Sequence, residues 1–385
     1  MNLNNSVDCK VCRRLIPEPF FVSSSDKSLT TMNEILESKT IVYLCDKCTH
    51  LQTNEIEDVK LFYEKNYTIN LSSDDEDQLY EIKDNKKIYR TEKQAEIVQN
   101  KIDLDEKTSL LDYGCAKSST SKRLSAITNI KPYLFDVSDK YVCYWEKFTL
   151  ADRWSIIDFP IKDWANKFDV VLSFYALEHI TDLHEALGNI HLSLKSGGVF
   201  FFMVPNVYSN PADFIVADHV NHFSAQSIEY LLTSCGFSDI KIDDSSFNSA
   251  YVVTCIKKEK TQFHPPKPTN NQILKLNEYK TLWMTLNQRI GKYIDSLAAG
   301  SKLAVYGSGF YGAYVFSCIN NHSVDYFLDQ NTKKGNRLFD VPVILPPDLG
   351  VETTNIIVAL NPKIAQHAIR EAGIRNLDEK NLFFI

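Results

Sequence analysis

Nine cysteines lie along the 385-residue chain, and four of them form two C-x-x-C pairs, Cys9/Cys12 and Cys45/Cys48. Each pair offers two sulfurs from one tight turn. Two such turns complete a tetrahedral S4 shell around Zn2+ with no position left open for a substrate, so the expected role is structural. The alternative is a redox pair or buried free thiols, but a redox C-x-x-C normally comes with a thioredoxin-like βαβ pattern. A closed thiolate shell contributes mainly to folding, on the order of 10 kcal/mol.

A second set of candidates sits where apolar runs end. In LLDYGCAKSS, Asp112 and Gly114 close a strand-like run, at a point where the backbone must turn tightly and a ligand can approach it. Asp136 ends the next such run, at the spacing where an acid accepts both hydroxyls of a nucleoside ribose. Further on, ADHVNHFS sets Asp218 beside His219, with His222 three residues later. A neutral imidazole, unperturbed pKa about 6.5, suits proton removal near neutral pH, and an adjacent carboxylate can orient it. The alternative for His219 is an ordinary polar turn residue, and His222 reads as a substrate contact or as a structural residue. Toward the C-terminus, Gly307, Gly309 and Gly312 form G-x-G-x-x-G, and Asp329 ends the following run. Alone this would suggest a nicotinamide dinucleotide, with its pyrophosphate at a helix N-terminus, and hence a dehydrogenase. The alternative is glycines used only for strand–helix packing.

The elements that must hold these residues divide the chain in three. Residues 1–70 are expected to form a zinc-binding domain, and the acidic, turn-rich stretch 70–85 leads to a helix over about 86–102. From Ser109 strand-like runs alternate with helical ones: SLLDYG then 119–127, PYLFDV then 141–148, FDVVLSFYAL then 183–194, GGVFFFMVPN then 225–235. Such βα alternation implies a doubly wound parallel α/β sheet over 86–257, with ligands bound beyond the carboxyl ends of its strands. Residues 258–271, rich in Pro and Lys, read as a linker. Residues 272–385 then give a long helix over 273–299 and a smaller Rossmann-like βαβ domain.

Composition narrows the function. Hydrophobic residues make up 44% and charged residues 24%, a globular mix, and 42 Lys+Arg against 49 Asp+Glu gives a net charge of −7. With no long basic stretch, partners of the nucleic-acid or anionic-membrane class are not expected. No apolar run approaches the ~20 residues of a membrane span, and the polar start carries no signal-peptide core, so a cytoplasmic location is expected.

The strand-end motifs resemble those of class I S-adenosylmethionine-dependent methyltransferases over roughly residues 109–257. The resemblance implies that Asp112 and Gly114 flank the methionine end of the cofactor, that Asp136 holds the ribose, and that Asp158 or Phe159 lies near the adenine. Ala116 and Ser118 stand at the second and third positions of the family's glycine turn. Glu178-His179 corresponds to a segment that usually lines the cofactor pocket, and His179 is the second choice as a catalytic group. The whole chain resembles the three-part sugar C-methyltransferases, which act on nucleotide-linked ketosugars. In them a Tyr-x-Glu-His segment before a Phe-Ser pair supplies a base. Here Phe223-Ser224 matches the pair, His219 and Asp218 match the histidine and glutamate, and Val216 stands at the tyrosine. A further family tyrosine that reaches the sugar is matched by Tyr67. The resemblance also makes the C-terminal glycine motif part of a nucleotide-sugar holder. The expected activity is methyl transfer to a nucleotide-activated ketosugar, most readily at carbon through an enolate. Its rivals are O- or N-methylation of a sugar or related metabolite, and a zinc-stapled binding protein whose cofactor site has decayed.

Overall fold

The computed structural model describes residues 6–56, 62, 77–84, 86–258, 270–319, 322–332 and 335–385. Tyr67, half of the acidic stretch 70–85 and most of the linker lie outside them. The chain forms two compact units, one of Met1–Phe20, Val42–Ser209 and His219–Thr269, the other of Phe21–Ile41, Asn210–Asp218 and Asn270–Ile385.

The first unit is built on a seven-stranded sheet. Its strands are Leu110–Tyr113 (β1), Tyr133–Asp136 (β2), Trp154–Ile156 (β3), Phe168–Phe174 (β4), Leu194–Pro205 (β5), Phe237–Asp243 (β6) and Ala250–Lys257 (β7), in the order β3-β2-β1-β4-β5-β7-β6. All four residues of β1 are buried, as a central strand covered on both faces requires. The longer helices are Arg90–Lys101 (α1), Ser119–Thr128 (α2), Leu183–Ser193 (α3) and Ala225–Ser234 (α4). Ala95 and Val98 on one face of α1, with Ile102 just past its end, pack with Leu124 of α2 against Leu110, Leu172 and Phe201 of the sheet.

Two features depart from the sequence reading. The sheet is not wholly parallel, because β7 runs antiparallel to both β5 and β6. The connection from β6 to β7 is about six residues, too short for a crossover helix, so the chain must return as a hairpin. The helix expected from residue 86 begins at Arg90. Lys86–Tyr89 is instead a strand paired with Leu79–Lys83.

The second unit carries a six-stranded sheet of Leu303–Tyr306 (β8), Tyr326–Leu328 (β9), Arg337–Leu338 (β10), Val341–Ile344 (β11), Asn355–Val358 (β12) and Asn381–Phe384 (β13), in the order β10-β11-β9-β8-β12-β13. Every pairing in it is parallel except β10 with β11. Its helices are Asn270–Asp295 (α5), Phe310–Cys318 (α6) and Pro362–Arg370 (α7). The buried Trp283 fastens α5. Its indole N–H donates to the Pro211 carbonyl at 2.9 Å, and its ring stacks on Tyr311 and meets Tyr314 edge-on. No helix among the described residues is long and apolar enough to cross a membrane.

Candidate functional site

Strands β1 and β4 are neighbours in the sheet, yet the chain leaves them in opposite directions. Their carboxyl ends therefore bound the crevice where doubly wound sheets bind ligands. Gly114, just after β1, has φ +68°, and a Cβ built on it would lie 2.6 Å from the Ala176 Cβ in the exit of β4. The two strand exits thus approach more closely than any side chain at 114 would allow.

Ala116 and Ser118 also hold left-handed backbone, with φ of 44° and 53°. The two positions that lack glycine keep glycine's conformation, at a cost of roughly 1 kcal/mol each. Side chains fix this shape. Ser118 and Ser121 donate to Oδ2 of Asp112 at 2.6 and 2.7 Å, and the Trp145 indole donates to the Ala116 carbonyl at 2.7 Å. The Ala116 N–H donates to Oδ2 of Asp136 at 2.7 Å, while Oδ1 of Asp136 accepts from the Ser138 N–H at 3.1 Å.

Burial pushes both acids up to about 6, against the opposing pull of the hydroxyls on Asp112 and of backbone N–H groups on Asp136. Oδ1 of Asp112 is buried with no hydrogen-bond partner among the described residues. Two acids at adjacent strand ends, one with an unused acceptor, and a backbone stripped of a side chain at Gly114 together fit a cationic nucleoside such as S-adenosylmethionine. Phe159 packs on Tyr113 and Phe135, with ring centroids 5.5 and 5.1 Å away, whereas Asp158 is exposed.

Beyond β4 the chain makes a short turn over Leu177–His179. The structure brings His179 and His219 together, their rings 4.8 Å apart and edge to face. Ligand-type atoms of Glu178, His179 and His219 lie within 4.8 Å of one another, and Glu178 and His219 are buried. Two imidazoles and a carboxylate so grouped offer ligand atoms for a metal ion or acceptors for a proton. Within the second unit, Asp218 accepts from the Thr31 N–H at 2.7 Å on Oδ1 and from the Thr31 hydroxyl on Oδ2. His222 is fully buried. Its Nε2 lies 2.6 Å from the Thr53 hydroxyl and its backbone pairs with Leu51. Phe223-Ser224 starts α4, with Ser224 and Ser227 forming a reciprocal capping box.

The four cysteines converge, their sulfurs all within 4.8 Å of one another. The two turns repeat one design. Cys9 N–H donates to the Arg14 carbonyl and Arg13 N–H to Cys9; likewise Cys45 N–H donates to His50 and Thr49 N–H to Cys45. Arg13 and Thr49 both take left-handed φ, 58° and 63°. Such a tetrathiolate cluster is a site able to hold a metal ion. Not anticipated from the sequence is His50, buried behind the second turn, whose Nε2 lies 3.2 Å from Oδ1 of Asn221. Its position two residues after Cys48 was the available signal.

In the second unit the three glycines differ. A Cβ at Gly307 would lie 2.4 Å from the Ala359 carbonyl, and one at Gly312 would lie 1.9 Å from the Gly307 carbonyl. Gly309, at the start of α6, has open space around it. Asp329 accepts from the Ser308 hydroxyl at 2.5 Å and the Asn331 N–H at 2.8 Å.

Residues 86–242 match the family model described as "Methyltransferase domain". A comparison with curated proteins gave no match. Among solved structures, similarity is found to an S-adenosylmethionine-dependent methyltransferase from Archaeoglobus fulgidus, at 17% identity and TM-score 0.37, covering 44% of this chain and 95% of that one. It is found also to one from Mesorhizobium loti, at 14% identity and TM-score 0.35, covering 42% and 96%. The matched domain, the strand order and the acid-lined crevice define a class I S-adenosylmethionine-dependent methyltransferase. The chain is an enzyme of that class, with the methyltransferase domain in its middle and a four-cysteine cluster toward its N-terminus.

Proposed function

We propose that this methyltransferase acts on a nucleotide-activated ketosugar and methylates it at carbon. The observation that carries the reading is the His179–His219 pair, 4.8 Å between rings, whose His179 lies on the exit of β4 that also approaches Gly114 of the cofactor turn. S-adenosylmethionine, when bound, supplies a methyl group already activated on a sulfonium. The protein is then left to position the acceptor, exclude water and take up the acceptor's proton.

Asp112, Gly114, Ala116 and Asp136 would hold the cofactor, and Phe159 would wall its nucleoside end. His219 would accept the proton alpha to the ketone, with His179 edge-on to receive or return it. Asp218, bound by Thr31, would help set the backbone next to His219 rather than share the proton.

The S4 cluster would hold Zn2+. Its Cys9–Cys48 and Cys12–Cys45 sulfur separations of 3.5 and 3.4 Å are near the about 3.8 Å edge of a tetrahedron with 2.3 Å zinc–sulfur bonds. The open space at Gly309, ahead of α6, supports a nucleotide-holding role for the second unit. The test is to incubate the protein with methyl-labelled S-adenosylmethionine and a panel of nucleotide-linked ketosugars and their reduced alcohols. Mass spectrometry should find label on carbon in a ketosugar; label only on the oxygen of the alcohols overturns the reading.

A further inference from the structure

Asn221 is buried and fully used. Its side-chain amide donates to the Leu177 carbonyl at 3.0 Å and the Ile180 carbonyl at 2.7 Å, and its backbone N–H donates to Glu178 at 3.1 Å. Three carbonyls of the turn bearing Glu178 and His179 therefore end on one residue, two places after His219. Because both Nδ2 hydrogens are spent on carbonyls, Oδ1 must accept, so His50 meets it through a protonated Nε2.

The second cysteine turn grips the His219 segment at further points. Thr49 meets the Ser224 hydroxyl, Leu51 and His222 exchange backbone hydrogen bonds, and Thr53 reaches both the Val220 carbonyl and the His222 ring. The first cysteine turn holds the other side of the same loop. Lys10 donates to the Thr181 carbonyl, Arg13 pairs with Asp182, and the Val11 carbonyl lies 2.8 Å from Nε2 of His184. Leu177–His184 is thus fastened at both ends to the two halves of the cysteine cluster.

We propose that Asn221 and His50 are positioning residues for methyl transfer, through which the metal-binding turns set the geometry of the His179–His219 pair. Filling the cysteine site then orders the acceptor side of the catalytic crevice, while the cofactor side, framed by Asp112 and Asp136, keeps its shape without it. This deepens the reading of His179 and His219 given above. It also differs from a purely local folding role for the cysteine site.

The test measures loop order rather than turnover, so it can fail while that reading stands. Full-length, metal-loaded Asn221→Ala, His50→Ala and His50→Gln are compared with the parent by amide hydrogen exchange, by calorimetric titration with S-adenosylmethionine, and by metal content. Asn221→Ala and His50→Ala should speed exchange over residues 177–184 at least tenfold. Cofactor affinity should stay within threefold and metal content should be unchanged. His50→Gln, whose amide can donate to Oδ1 of Asn221, should restore most of the protection. Unchanged exchange at 177–184, or equal acceleration over residues 110–118, overturns the proposal. Should Asn221→Ala fail to fold, the parent stripped of metal by a chelator must lose protection at 177–184 before 110–118; simultaneous loss overturns it equally.

Discussion

The backbone N–H of Ala116 donates to Oδ2 of Asp136 at 2.7 Å, so the acid ending β2 is tied to the turn that leaves β1. The second unit repeats the relation, with the Ser308 hydroxyl on Asp329. In each, an acid at a strand end sets a neighbouring turn. In the first unit that acid is also the one expected to meet ribose, so its mutation should be felt twice.

Asp136→Ala should weaken S-adenosylmethionine binding about 10- to 100-fold, the range for losing a hydrogen bond to a charged acceptor of about 1.5–3 kcal/mol. Calorimetric titration measures it, and Asp158→Ala, altering an exposed side chain, should change affinity less than threefold.

Acidity should move stability and affinity in opposite directions. Asp112 and Asp136 have folded-state values raised to about 6, above the unfolded range. Their stabilising contribution is complete below the unfolded pKa and is lost as pH rises through about 6. The ligand-free protein should therefore melt higher at pH 5.5 than at 7.5, within the range where no other group unfolds it. The cationic cofactor prefers the ionised acids, so its affinity should rise from pH 5.5 to 7.5. Asp136→Asn should flatten both profiles.

Gly114→Ala meets two obstacles, a left-handed backbone and a Cβ 2.6 Å from that of Ala176. A loss of about 1–3 kcal/mol in denaturant unfolding is expected, with cofactor affinity lost alongside it because the two strand exits must part.

The glycines of the second unit should separate packing from binding. Gly312→Ala sets a Cβ against the Gly307 carbonyl and should lower the melting temperature by several degrees. Gly309→Ala encounters open space and should fold normally. A nucleoside diphosphate titrated onto both variants then reports directly: loss of binding in Gly309→Ala alone marks that turn as the pyrophosphate contact.

Cys45→Ser should abolish bound metal, read by atomic emission, and expose the stretch between the two cysteine turns to limited proteolysis. His219→Asn should abolish turnover on the proposed ketosugar substrate while leaving cofactor affinity within threefold. Full turnover would remove His219 from the chemistry.

Much of the methyltransferase sheet was legible because its signals are local. The run LLDYG ends in residues that only a strand exit can use, and the doubled C-x-x-C spacing dictates two sulfur-bearing turns. What escaped was set by contacts distant in sequence. The antiparallel return of β7 depends on the shortness of one loop. The strand at Lys86–Tyr89 exists because Leu79–Lys83 pairs with it, and it displaced the start of the expected helix. The meeting of His179 with His219 spans about forty residues. Asn221 bears no motif and His50 only its nearness to Cys48, since their importance lies in a shared hydrogen bond.

Ala116 and Ser118 hold a posture that L-amino acids resist, and the two departures from glycine are not equivalent for anyone wishing to harden this enzyme. Replacing Ala116 by glycine releases torsional stress and forfeits only a methyl group, so about 1 kcal/mol of added resilience is on offer there. The same exchange at Ser118 removes a hydroxyl that braces Asp112, so relief in the main chain is offset by a slackened carboxylate. Adjacent sites in one turn thus call for opposite engineering choices.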